Sequence, residues 1–228
     1  SRKIIYFPHN LLVFAVLLLI LASTTGWIFV RVVGKAFEDV GFGPATTASI
    51  LVATFFGSYV NIPILKLKTV TPVVRQKFVS FFGIVYRIPR VEYGETTTLL
   101  AVNVGGALIP TLVSLYLLWK RPSEIWYCLI GAVVVAAVTH SVARPVKGVG
   151  ITTPAFLPPL VAAALAYLLP SGAPQVVAYV AGVLGTLIGA DLLNLHAVSK
   201  LGAPVTSIGG AGTFDGVFLS GIIAVLLA

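Results

Sequence analysis

Gly182-Val183-Leu184-Gly185-Thr186-Leu187-Ile188-Gly189-Ala190-Asp191-Leu192-Leu193-Asn194-Leu195 is an apolar run with one carboxylate inside it. Extended back to Gln175, the run has the ~20 residues that cross the hydrocarbon core of a bilayer. The last stretch of the chain, Ser207–Ala228, repeats the pattern with one acid, Asp215. A carboxylate at the centre of a spanning helix costs roughly 2.5–3.5 kcal/mol on the translocon scale. A residue that expensive marks a functional site by default, and these are the only two acids in the apolar part of the chain.

Outward from these runs, the rest of the chain is also apolar. Of 228 residues, 58% are hydrophobic and 10% are charged, and the mean hydropathy is +1.03. Soluble domains carry about 25% charged residues, so the composition describes one integral membrane domain over residues 1–228. Seven runs are candidates to span: Leu11–Val33, Pro44–Leu65, Thr97–Trp119, Ile125–Val142, Pro154–Leu169, Gln175–Leu195 and Ser207–Ala228. The expected fold is an all-α polytopic bundle of about seven transmembrane helices. The fifth run is short and opens on Pro154, Pro158 and Pro159, which predicts a tilted or broken start. The first run lacks a small-x-small cleavage site and reads as a retained helix rather than a signal peptide.

The formal net charge is +8. The cations cluster between apolar runs, so they read as a topology signal and not as a nucleic-acid footprint. With the N-terminus inside, Arg2, Lys3, Lys66, Lys68, Arg75, Lys77, Arg87, Arg90, Arg144, Lys147 and Lys200 fall inside, against Arg31, Lys35, Lys120 and Arg121 outside. That asymmetry predicts a multipass protein of the plasma membrane with a cytoplasmic N-terminus. The long inner loop, residues 66–95, contains Phe78-Val79-Ser80-Phe81-Phe82-Gly83-Ile84-Val85-Tyr86. Its β-branched and aromatic residues around a glycine suit a small β hairpin, and its basic flanks suit an anionic leaflet.

The single cysteine, Cys128, excludes an intramolecular disulfide and a thiolate metal cluster. Methionine is absent and glutamine occurs only at Gln76 and Gln175, a usage that points to a thermophile. The missing methionine also implies that the chain is not a complete initiated product. No nucleophile elbow, P-loop, dinucleotide fingerprint or haem-attachment motif is present. No cofactor and no metal are implied, since Asp191, Asp215 and His196 lack the spacing of a helical zinc motif.

A weak internal repeat runs through the chain. Asn103-Val104-Gly105-Gly106-Ala107 is similar to Ser207-Ile208-Gly209-Gly210-Ala211, and Gly57-Ser58-Tyr59 is similar to Gly189-Ala190-Asp191. A parallel duplication of residues 44–119 and 175–228 would account for both likenesses. On that alignment, only the second copy carries carboxylates. The topology puts Asp191 and Asp215 at similar depth near the inner ends of two adjacent helices. Two chemistries follow. Carboxyls that lie close share a proton, so one acts as general base on a water and the other as general acid, which is aspartyl-protease chemistry on a transmembrane peptide. Carboxyls that line a polar cavity bind and release a proton or sodium ion, which makes a coupled transporter or channel. A third reading is a non-catalytic scaffold in which the acids are hydrogen-bonded anchors. Gly209, Gly210, Gly212 and Gly216 bracket Asp215 and leave room for a substrate strand or an unwound, ion-binding backbone. Asn61, Asn103 and Asn194 are the amides placed to assist; Asn194 stands three residues from Asp191 on the same helical face.

Two resemblances rest on these residues. Gly212-Thr213-Phe214-Asp215 and Ala190-Asp191, with Pro154-Ala155-Phe156-Leu157 at another inner helix start, resemble the intramembrane aspartyl proteases of the presenilin and signal-peptide-peptidase type. The likeness implies a mechanism in which Asp191 and Asp215 are catalytic. It departs from that pattern in having Phe214 for the second glycine, Ala190 for tyrosine, and the Pro-Ala stretch before the acids. A broader resemblance covers most of the chain. Gly57 to Pro63, Asn103 to Pro110, Ala190 to Leu195 and Ser207 to Leu219 are similar to an uncharacterised bacterial and archaeal family of multipass membrane proteins. That likeness implies a membrane topology and no activity.

Overall fold

The computed structural model describes residues 9–81, 84–146, 150–198, 204–210 and 215–228. Helix α1 (His9–Asp39) is followed by α2 (Pro44–Gly57), a hairpin of β1 (Asn61–Phe81) and β2 (Ile84–Asn103), and a π-helical turn, Val104–Leu108, that leads into α3 (Ile109–Lys120). Then come α4 (Ile125–Val142), a small hairpin of β3 (Arg144–Val146) and β4 (Gly150–Thr152), α5 (Leu157–Leu168) and α6 (Pro174–Thr186). A π-helical segment, Leu187–Asp191, and a 3₁₀ turn, Leu192–Asn194, carry α6 into the short α7 (Leu195–Val198). Strand β5 (Val205–Ile208) and α8 (Gly216–Leu227) complete the chain. Among the described residues, three helical segments are long and apolar enough to cross a membrane: Leu11–Asp39, Pro122–Val142 and Pro174–Ala197. Four shorter apolar helices, Pro44–Gly57, Val104–Lys120, Leu157–Leu168 and Gly216–Leu227, accompany them.

Helix α6 is the axis of the bundle. It is buried on every side from Val176 to Val183, as an all-round apolar helix must be, and packs against α3, α4, α5 and α8. Small residues set the spacing. A Cβ added at Gly131 of α4 would stand 2.8 Å from the Ala181 Cβ, and one added at Gly185 would stand 2.5 Å from the Val135 Cβ. Such close backbone approach is how membrane helices gain contact without a hydrophobic driving force between them. The C-terminal end of α1 joins the core through Val33, Ala36, Phe37 and Val40, with the Phe37 and Tyr179 rings 5.9 Å apart. Prolines 158 and 159 sit in the first turn of α5, where their missing N–H groups have no helical partner to lose.

The largest difference from the expected all-helical bundle is a sheet. The hairpin runs from Asn61 to Asn103, well beyond the small hairpin expected within residues 66–95, and β5 adds to it in the order β1-β2-β5. The second apolar run stops being helical at Gly57 and the third becomes helical only at Val104. Residues Ile62–Leu65 and Thr97–Val102 are therefore strand, although they read as helix ends by hydropathy. Pro63 and the threonines at 96–98 explain the change. Proline removes a helical N–H, and β-branched residues fit a pleated surface better than a crowded helix. Buried Leu100 packs with Ala107 and Ile208 in a second, smaller core beneath the sheet. Similarly, Ser207 and Ile208 belong to β5 and not to the last helix.

Candidate functional site: a carboxylate pair at a strand end

β5 runs parallel to β2, pairing Leu99 with Val205 and Val102 with Ile208. The Leu99 N–H donates to the Pro204 carbonyl over 2.9 Å. In a parallel ladder, alternate residues point both backbone groups to the same side. Residues 204, 206 and 208 therefore face β2, and the N–H and C=O groups of Val205 and Ser207 face the other edge. No described strand pairs with that edge. The next N–H in the outward-facing row is that of Gly209.

The Gly209 N–H donates to the Asp191 carboxylate. Gly209 has φ +66, in the left-handed region where glycine carries no Cβ penalty. It also has no room for a side chain, since an added Cβ would lie 2.6 Å from the Ala107 nitrogen. Asp191 is half-buried and closes the π-helical segment after α6. π-bulges of this kind widen a helix by one residue and recur at functional sites. Asp215 is also half-buried and lies within electrostatic reach of Asp191. It stands at the N-cap of α8, where its Oδ2 accepts from the Val217 N–H over 2.9 Å. The chain expected to place Asp215 inside a helix thus places it one residue before the helix begins. The two acids lie within electrostatic reach of each other, each with a backbone donor of its own.

The remaining candidates divide. Asn194 does not turn its amide nitrogen toward Asp191. Its Nδ2 donates to the Gly189 carbonyl (3.0 Å) and the Ala190 carbonyl (2.9 Å) and lies 3.3 Å from His140 Nδ1, satisfying carbonyls that the π-bulge releases. Asn61 and Asn103 form a separate junction. Asn103 is fully buried; its Nδ2 donates to the Ser58 carbonyl (2.8 Å) and to Asn61 Oδ1 (3.1 Å), and its Oδ1 accepts from the Gly106 N–H (2.8 Å). Ser207 Oγ donates to the same Asn61 Oδ1 over 2.6 Å. The junction ties the end of α2, both hairpin strands, the π-turn and β5 into one unit, and through Ser207 it positions Gly209 two residues on. Gly210 lies with its Cα side against Ser207, where a Cβ would stand 2.9 Å from the Ser207 carbonyl oxygen. Gly216 opens α8 in free space. Gly212 lies outside the described residues.

Ser207 is a positioning residue that the sequence does not announce: it lies inside the motif Ser207-Ile208-Gly209, but serine is too common for its presence to signal a bond. Ser58 takes part through its backbone carbonyl, which carries no residue signature at all. Among the described residues, no group of three His, Cys, Asp or Glu side chains is arranged to hold a metal ion.

The chain belongs to the DUF1614 family, a family described as proteins of unknown function, which it matches over residues 55–227. That span includes the hairpin, the asparagine junction and both aspartates, and begins after α1. No curated protein and no solved structure matches the chain.

Proposed function

We propose that Asp191 and Asp215 form a membrane-embedded hydrolytic pair that cleaves a peptide held in extended form. The observation that carries this reading is the position of Asp191 at the end of the edge of β5 with which no described strand pairs, with Asp215 in electrostatic reach. A peptide strand added along Val205 and Ser207 continues onto the two carboxylates, and strand addition to an open edge supplies affinity through backbone bonds alone. Two carboxylates that approach each other do not both ionise cheaply, and in this reading the pair shares a proton. The ionised member takes a proton from water as that water attacks the peptide carbonyl. The protonated member delivers its proton to the leaving amine. The finer topology belongs to the same reading: the four shorter apolar helices complete seven crossings with the three long ones, and the N-terminus, the sheet and the aspartates lie on the cytoplasmic side.

A specific observation favours a second reading. Each acid accepts a backbone N–H, from Gly209 and from Val217, which is what an anchor does. Asparagine substitution separates the two, because an amide oxygen still accepts the N–H but cannot take up and release a proton. The experiment reconstitutes the protein in liposomes with a pool of single-span peptides and reads products by mass spectrometry. A photoreactive, non-cleavable hydroxyl isostere of the peptide bond reports binding in parallel. Cleavage and labelling by the parent, both lost in Asp191→Asn and in Asp215→Asn with unchanged thermal unfolding, support hydrolysis. Absence of cleavage by the parent, with labelling equal in all three proteins, assigns the acids to anchoring.

A further inference from the structure

The β1–β2 hairpin is much longer than the aspartate site requires. It has twenty paired positions, so at ~3.3 Å per residue its tip stands roughly 65 Å from its root. Among the described residues, only the root is held by a third strand, where β5 pairs with Leu99–Val102. A two-stranded hairpin by itself is marginally stable in water, so the remainder needs a surface to cover it. The run Phe78–Ile88 at the tip is mostly apolar, and Phe78 and Val85 are 60% and 61% exposed. The Arg87 guanidinium lies 5.5 Å from the centroid of the Phe78 ring. Residues 66–95 carry six cations, Lys66, Lys68, Arg75, Lys77, Arg87 and Arg90, against two acids, Glu92 and Glu95. The register sets Arg75 and Arg90 at one level of the hairpin.

We propose that the hairpin lies along the bilayer and binds an anionic lipid surface, with its aromatic tip in the headgroup interface. Apolar residues framed by cations are what an interfacial segment needs. The register skips Ile64 between Pro63 and Leu65, a β-bulge at the root of the kind that bends a strand away from its straight course. Distance decides the posture. Held upright, Arg75 and Arg90 would stand thirteen paired positions, or ~43 Å, from the root, several times the ~8 Å over which salt leaves a surface charge visible. Lying flat, every cation is within that range. A second copy of the hairpin is the weaker occupant, because it would bring the same excess of positive charge against this one.

The test uses the full chain carrying Ser80→Cys on a Cys128→Ala background, labelled with a polarity-sensitive dye. It is placed at one copy per lipid nanodisc, in phosphatidylcholine alone or with phosphatidylglycerol. Anionic lipid occupies both leaflets, so the result does not depend on which way the chain crosses. The expected result is emission shifted to shorter wavelength and quenched by brominated lipid in the anionic discs, with both effects reversed by salt. The shift is expected to disappear in the Arg75→Gln, Lys77→Gln, Arg90→Gln variant; the salt titration of the parent carries the same information if that variant does not fold. Water-like emission in both lipids overturns the proposal. So does an equal shift in both lipids, and so does a shift that arises only when two copies share a disc. Repeating the measurement in Asp191→Asn, with no change expected, separates this surface from the aspartate site.

Discussion

Replacing Asn103 by alanine removes three hydrogen bonds at a fully buried position: two donated by Nδ2, to Ser58 and Asn61, and one accepted by Oδ1 from Gly106. A net ~1 kcal/mol for each bond gives a loss of about 3 kcal/mol, with the Gly106 N–H left unsatisfied. For a chain of this length a loss of 1 kcal/mol lowers the unfolding midpoint by ~2–4 °C. Asn103→Ala is therefore expected to unfold about 6–12 °C below the parent, measured by thermal unfolding in detergent with matched lipid. Asn103→Asp is the sharper case. It keeps an acceptor for Gly106 but turns a carboxylate oxygen, in place of the donor, toward the Ser58 carbonyl and Asn61 Oδ1. It is expected to fall below the alanine variant, because two acceptors then face a buried charge. Unfolding of Asn103→Ala within about 2 °C of the parent, less than the smallest loss that one such bond predicts, would show that the amide does not hold this junction. Greater stability of Asn103→Asp than of Asn103→Ala would refute the assigned bonds, since the amide would then have the opposite orientation.

Asp215→Ala removes the N-cap of α8 and is expected to cost about 1 kcal/mol, whereas Asp215→Asn retains the acceptor and is expected to unfold with the parent; a loss in the asparagine variant equal to that in alanine refutes the capping role. Gly209→Ala must adopt φ +66 and meets the Ala107 nitrogen at 2.6 Å. It is expected to lose at least ~1–2 kcal/mol together with peptide cleavage, and a fully active alanine variant would show that the turn does not hold Asp191. Gly189→Leu forces a side chain onto α4, where even a Cβ would stand 2.9 Å from the Ala136 Cα. The expected cost is about 1–3 kcal/mol, visible as a lower unfolding midpoint, while Ala137→Leu on the exposed side of α4 is expected to be neutral.

Much of the candidate site is legible in the sequence. A lone acid in an apolar run is conspicuous because burial makes it expensive, so Asp191 and Asp215 stand out. The glycines beside Asp215 stand out because glycine is poor in helix interiors. The bonds are harder to read. Asn194 shares a helical face with Asp191, which suggests a bond between them. The π-bulge changes the local turn and leaves carbonyls of Gly189 and Ala190 to be satisfied, and these take the amide instead. Asn61 and Asn103 stand out as amides near breaks, but their bond to each other depends on a strand register spanning forty-two positions, which no local pattern contains.

Composition and charge by themselves determined that this chain is a membrane protein, which segments are apolar, and where a carboxylate would be costly. Those are properties of single residues and short windows, set by transfer free energy. Only the tertiary structure decided that two apolar windows are partly strand, that β5 lies beside β2, and that Gly209 reaches Asp191 while Asp215 caps a helix. Hydropathy records how much surface a segment must bury and says little about the partner that buries it. A strand obtains its backbone bonds from residues distant in sequence, so its existence depends on contacts that form only when the chain has folded.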